Sequence, residues 1–288
     1  MQVIGTTEAT VGQLMSNKPP LLSRLGIRLR EEYEQFTEKM EILGLRFKAN
    51  EWPNLRQQIL LVGCESSGTT AISKLLLRDG SGRFLYEGGN HWVWDACNSI
   101  YQRQTALQDY PRLQIYDRMK IPRFASILDQ YVEAYPNVKI VYVLRDPRDV
   151  VVSACKTFKV TTENGLSDIP WVTESWLGIE DQEPVARLAR RWAIFLEQSQ
   201  KTSGVCYVRY EDFCEDKIGC IVDAAKQLDI ACDRDRLTQL CDSQASPPST
   251  RDYKPAGPGG WKSGILRDSD IETIQEICGD GMRQWGYL

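Results

Sequence analysis

Ile59-Leu60-Leu61-Val62-Gly63-Cys64-Glu65-Ser66-Ser67-Gly68-Thr69-Thr70 is an apolar run that breaks at a glycine into a Gly/Ser/Thr turn. The run has the length and character of a strand buried on both faces. Helical periodicity resumes at Ala71 and continues to Arg78. A strand, a glycine-rich loop and a helix in this order make the arrangement of a phosphate-binding unit, and equally that of a plain structural turn. Glycines let the backbone approach the ligand, and free N–H groups at the helix start attract an anion. The spacing matches G-x4-G-K-[ST], but Thr69 stands where a nucleoside-triphosphate loop carries lysine, which weighs against a kinase or ATPase.

Outward from this unit, strands and helices alternate. Phe84-Leu85-Tyr86 reads as a short strand and residues 88–112 show no clear pattern. Residues 123–135 read as a helix and Val138 to Leu144 as the strongest strand. Pro147 suits the first position of a helix reaching about Phe158. Further helices are expected over 185–201, 216–228 and 268–284, with a strand over 205–210 and an irregular Pro/Gly-rich stretch over 247–264. This alternation predicts an α/β fold: a mainly parallel sheet with helices on both faces, like a P-loop NTPase. Residues 20–45 carry apolar residues at helical spacing. They predict an N-terminal helical extension, residues 1–52, packed on a single domain spanning 1–288.

Composition narrows the function. The 288 residues carry a formal net charge of −4 with no basic stripe, which argues against a nucleic-acid partner. The nine cysteines include no CxxC pair, so the expectation is reduced thiols and no metal. The first residues lack a basic segment followed by an apolar run, and no stretch has the length of a membrane span. A cytoplasmic protein without membrane attachment is expected.

A second segment, Val143-Leu144-Arg145-Asp146-Pro147-Arg148-Asp149-Val150-Val151-Val152-Ser153, resembles the 3′-phosphate motif of sulfotransferases that use 3′-phosphoadenosine 5′-phosphosulfate (PAPS). That resemblance implies that Arg145 and Ser153 bind the 3′-phosphate, by a guanidinium fork and a hydroxyl. Ser67-Gly68-Thr69-Thr70 then resembles the end of the family's 5′-phosphosulfate loop, P-[KR]-S-G-T-[TS]. Ser66 occupies the place of its cation and Glu65 precedes it. Gly259-Gly260-Trp261-Lys262-Ser263 is similar to the family's loop over the nucleotide, and Lys254, with Arg251 in reserve, falls where a cation for the 3′-phosphate is usual.

The same resemblance implies the chemistry. Met119-Lys120-Ile121-Pro122 is similar to the segment of carbohydrate-type sulfotransferases whose lysine contacts the sulfuryl oxygens. Lys120 could therefore restore part of the charge missing at Ser66, with Arg123 in reserve. Glu87, just past the second strand, matches the carbohydrate-type base. His91, the one histidine of the chain, is the alternative base. The expectation is sulfuryl transfer from PAPS, leaving 3′-phosphoadenosine 5′-phosphate (PAP), to a hydroxyl or nitrogen of a small molecule. Trp and acidic residues in 91–95 and 163–183 suit a polar or cationic acceptor, or a sugar. A nucleotide-binding relative without turnover is the alternative from a different class, with a P-loop kinase behind it.

Overall fold

In the computed structural model the apolar runs Ile59–Gly63 (β1) and Lys139–Leu144 (β4) lie side by side as parallel strands, pairing from Ile59 with Lys139 to Gly63 with Val143. The structure describes residues 57–77, 82–87, 91–158, 177–181, 183–244 and 257–288, all within one compact unit, Lys48–Leu288. The expected N-terminal helices lie outside the described residues. Phe84–Tyr86 (β2), Arg118–Lys120 (β3) and Val205–Arg209 (β5) complete a five-stranded sheet, wholly parallel, in the order β2-β3-β1-β4-β5.

Side chains alternate across this sheet and build two cores. Leu60, Val62, Ile140, Tyr142 and Leu144 face one way. They meet His91–Tyr101 (α2), Leu128–Ala134 (α3), Pro147–Phe158 (α4), Pro184–Lys201 (α5) and Asp268–Gln284 (α9). Ile59, Leu61, Val141 and Val143 face the other way, against Thr69–Leu76 (α1), Lys217–Gln227 (α7) and Arg234–Gln244 (α8). A short helix, Tyr210–Glu215 (α6), links β5 to α7. Burial on both faces explains why β1 and β4 read as continuous apolar runs rather than alternating ones.

Three differences from the sequence reading have local causes. β3 was not expected, because Arg-Met-Lys has no apolar run; Met119 alone enters the core. The helix expected over 123–135 is split into a 3₁₀ turn, Pro122–Ile127, and α3. The unassigned stretch contains α2 and two 3₁₀ turns, Leu107–Asp109 and Pro111–Ile115. Gln58 pins that region to the start of β1: its amide donates to the Leu113 and Tyr116 carbonyls and its oxygen accepts from Tyr131. Among the described residues no helix is long and apolar enough to cross a membrane.

The topology also places a crevice. The helices that follow the adjacent strands β1 and β4, α1 and α4, go to opposite faces of the sheet. In open parallel sheets, ligands sit beyond the carboxyl ends of the strands at such a point of divergence.

Candidate nucleotide and sulfuryl-transfer site

The loop leaving β1 depends on two glycines. Gly63 has φ +146, and a Cβ there would lie 2.6 Å from the Val143 carbonyl oxygen of the neighbouring strand. Gly68, at φ +90, caps α1, and a Cβ there would run into the Tyr210 ring. Ser66 between them is left-handed too, at φ 72. The turn closes with Ser67 N–H donating to the Cys64 carbonyl at 3.1 Å. Ser67 is fully buried and its hydroxyl finds no hydrogen-bond partner among the described residues. Such a donor inside a loop of this shape suits an anionic ligand. Thr69 is buried in the first turn of α1, and Thr70 is exposed.

Arg145 leaves β4 on the far side of the crevice. Its guanidinium is buried, donates to the Ser66 carbonyl at 3.0 Å and to the Gly257 carbonyl at 3.3 Å, and stacks 4.4 Å over the Tyr210 ring. One turn on, Asp149 lies 4.0 Å from Arg145 and accepts from the Gly259 and Trp261 N–H groups, both at 2.8 Å. Ser153, buried in α4, is one further turn along this face. Asp149 thus pins the Gly259-Gly260-Trp261-Lys262 turn over Arg145. Burial raises the Asp149 carboxyl above its ordinary value, although these N–H donors and Arg145 oppose the rise. Arg148 faces away: it clasps Asp146, bonds the Tyr287 carbonyl and lies 4.1 Å from the Trp261 ring. Lys262 is exposed, its Nζ 5.4 Å from the same ring.

At the ends of β1, β2 and β3 the structure gathers charges. Arg191, reaching in from α5, donates through Nε and Nη2 to the two Glu65 oxygens at 2.9 and 2.8 Å. Arg123 Nε lies 3.7 Å from the same carboxylate. Burial pushes the Glu65 carboxyl upward, but Arg191, by charge and hydrogen bonds, and then Arg123 outweigh it and hold it below the usual range. Glu87 pairs with Lys120 Nζ at 3.2 Å, and Lys120 also lies 4.7 Å from the Tyr86 ring. Here burial prevails: the Glu87 carboxyl is raised, offset in part by Lys120 and reinforced by nearby Glu65.

The structure thus joins Arg145 to the Ser66 carbonyl and, through Asp149, to the turn 259–262 beyond the carboxyl ends of β1 and β4, while Glu87 and Lys120 pair at the ends of β2 and β3. His91 starts α2, and its side chain lies outside the described residues, as do Lys254 and Arg251. Reasoning from sequence missed Arg191, Tyr210 and the part played by Asp149. One signal for Arg191 was present: with Leu188, Trp192 and Phe195, all buried, it shares the apolar stripe of α5, where a guanidinium is out of place. None of the nine cysteines is joined in a disulfide; Cys64 is buried beside the loop, and burial pushes its thiol up, away from reactivity.

The sulfotransferase domain family matches residues 56–286. The structure is similar to sulfotransferase STF9 from Mycobacterium avium, at 12% identity and a TM-score of 0.52, covering 84% of this chain and 81% of that one. It is also similar to mouse sulfotransferase SULT7A1 complexed with PAP, at 13% identity and a TM-score of 0.47, covering 82% and 88%. Sulfotransferase STF1 from Mycobacterium tuberculosis H37Rv aligns at 15% identity and a TM-score of 0.47, covering 86% and 80%. No curated protein matches by sequence.

Proposed function

The chain belongs to the sulfotransferase domain family, and from that premise we propose that it moves a sulfuryl group from PAPS to a hydroxyl or nitrogen of a small-molecule acceptor. The observation that carries this reading is the bond from Arg145 Nη1 to the Ser66 carbonyl. It joins the two motifs, 79 residues apart, at the point where the sheet opens.

The residues present fit the donor. The unpartnered Ser67 hydroxyl and the N-terminus of α1 suit the 5′ end, with Gly68, Thr69 and Thr70. Arg145 and Ser153, with Lys254, suit the 3′-phosphate, and the 259–262 turn covers the nucleotide. PAPS supplies the activated sulfuryl group. Glu87 receives the acceptor proton: its raised carboxyl is a stronger base than an ordinary glutamate, and Lys120 beside it steadies the ionised form. Lys120 also stands ready for the charge on the transferring group. His91 remains the alternative base.

Calorimetric titration with PAP beside ADP, without metal, tests the donor. Clear preference for PAP supports the reading, and equal or absent binding overturns it. Ser66 in place of the loop cation favours a second reading, a PAP-binding relative without turnover. An acceptor screen with labelled PAPS separates the two.

A further inference from the structure

A glutamate in a phosphate loop repels the ligand the loop is shaped to hold, and Ser66 adds no compensating cation. Glu65 is not bare, however. Arg191 closes a two-bond fork on it, and Arg123 stands 3.7 Å from the same carboxylate. Both guanidiniums are at most 2% exposed. Stability alone does not call for this arrangement. A buried ion pair seldom improves on apolar residues of the same volume, and Arg191 sits in a stripe where Leu188, Trp192 and Phe195 are all core.

The geometry points to an exchange of charge: Arg191, with Arg123, supplies to the 5′ end of the nucleotide the positive charge that the loop lacks at Ser66. Glu65 is the positioning residue that draws both guanidiniums to the loop. A guanidinium carries five N–H donors in a planar fork, so it can serve a carboxylate along one edge and a phosphate oxygen along another. The cation enters from α5 and from the 3₁₀ turn Pro122–Ile127 rather than from the loop. This rests on the donor reading above and names the cations of that same site.

The test compares PAP with adenosine 3′-monophosphate, which lacks the 5′ group, by calorimetry. The main variant is the double substitution Glu65→Gln/Arg191→Gln, which removes both partners of the two-bond fork. Its PAP affinity should fall by about 10- to 100-fold, the worth of a charge-assisted contact. Affinity for adenosine 3′-monophosphate should stay within about threefold. Adding Ser66→Lys to the double variant should recover at least about tenfold in PAP affinity, by placing a cation where the loop can hold one. PAP affinity unchanged in the double variant would mean that Arg191 only neutralises Glu65, and the proposal falls. Equal loss for both nucleotides, or no recovery with Ser66→Lys, overturns it as well. Should the parent protein fail to prefer PAP over ADP, the donor reading itself fails, which is a different result.

Discussion

The crevice has two ends built on different principles. At the β4 end, Arg145, Asp149 and Ser153 follow one another along a single strand–helix junction, and backbone groups do most of the holding. Carbonyls of Ser66 and Gly257 accept from Arg145, and N–H groups of Gly259 and Trp261 donate to Asp149. At the β1–β3 end, Glu65, Glu87, Lys120, Arg123 and Arg191 come from separate elements and hold one another through side-chain charge. A site held by backbone cannot be compensated by a second side-chain change, whereas a site held by charge balance can. The proposed nucleotide cradle therefore depends on local geometry, and the proposed transfer centre on sums of charge.

Substitutions at the two ends should separate binding from turnover. The largest effect is expected for Glu87→Gln: PAPS turnover with an acceptor should fall by about 10²- to 10⁴-fold, with PAP affinity nearly unchanged. If His91→Ala abolishes turnover while Glu87→Gln is benign, the base is His91. Arg145→Ala at the other end should weaken PAP binding by about 2 to 5 kcal/mol in calorimetry, and unchanged affinity would remove Arg145 from the site. Gly68→Ala drives a methyl into the Tyr210 ring at a left-handed φ. It should cost about 1–3 kcal/mol in urea unfolding, and a neutral result would show that Tyr210 can give way. Asp149→Asn keeps the shape but replaces one of the two accepting oxygens with an NH2 donor, so about 1–3 kcal/mol should be lost, read as faster hydrogen exchange at the Gly259 and Trp261 amides.

The smallest effect, and the one that sharpens the contrast within the charged end, is with pH. Glu65 is held below its ordinary value of 4.5. Its contribution to stability is thus complete above that value and lost as pH falls through the depressed one. Glu87 is raised above 4.5, so its contribution is greatest below that value and declines as pH rises through the raised one. The melting temperature of the parent relative to Glu65→Gln should therefore drop on acidification. Relative to Glu87→Gln it should drop on going from acid toward neutral pH, by ~2–4 °C for each kcal/mol in a domain of this size. Parallel curves for the two variants would show that the carboxylates titrate as one unit.

What could be read from residues alone follows from how local each feature is. β1, β4, α4, α5 and α9 each carry their burial pattern within one segment, and the string from Val143 to Ser153 lies on a single strand–helix junction, so the elements themselves were legible. β3 was not, since three residues with one apolar side chain become a strand only by pairing with β1 and β2. The split of 122–134 into a 3₁₀ turn and α3 also escaped, because every residue of the turn is buried and packing there overrides helical periodicity. Arg191 gave a faint signal as a cation on an apolar stripe, but nothing nearby named its partner.

The order of apolar runs, the glycine loop and the string from Val143 to Ser153 by themselves determined a parallel α/β sheet with a glycine-rich turn between one strand and its helix, because backbone sterics and burial act over a few residues. Only the tertiary structure decided that Glu65 faces Arg191, that Glu87 faces Lys120 and that the 259–262 turn rests on Asp149. Those partners are separated by 126, 33 and about 110 residues. Charges do not choose partners along the chain; they pair where packing of the two cores brings them together and removes the water between them.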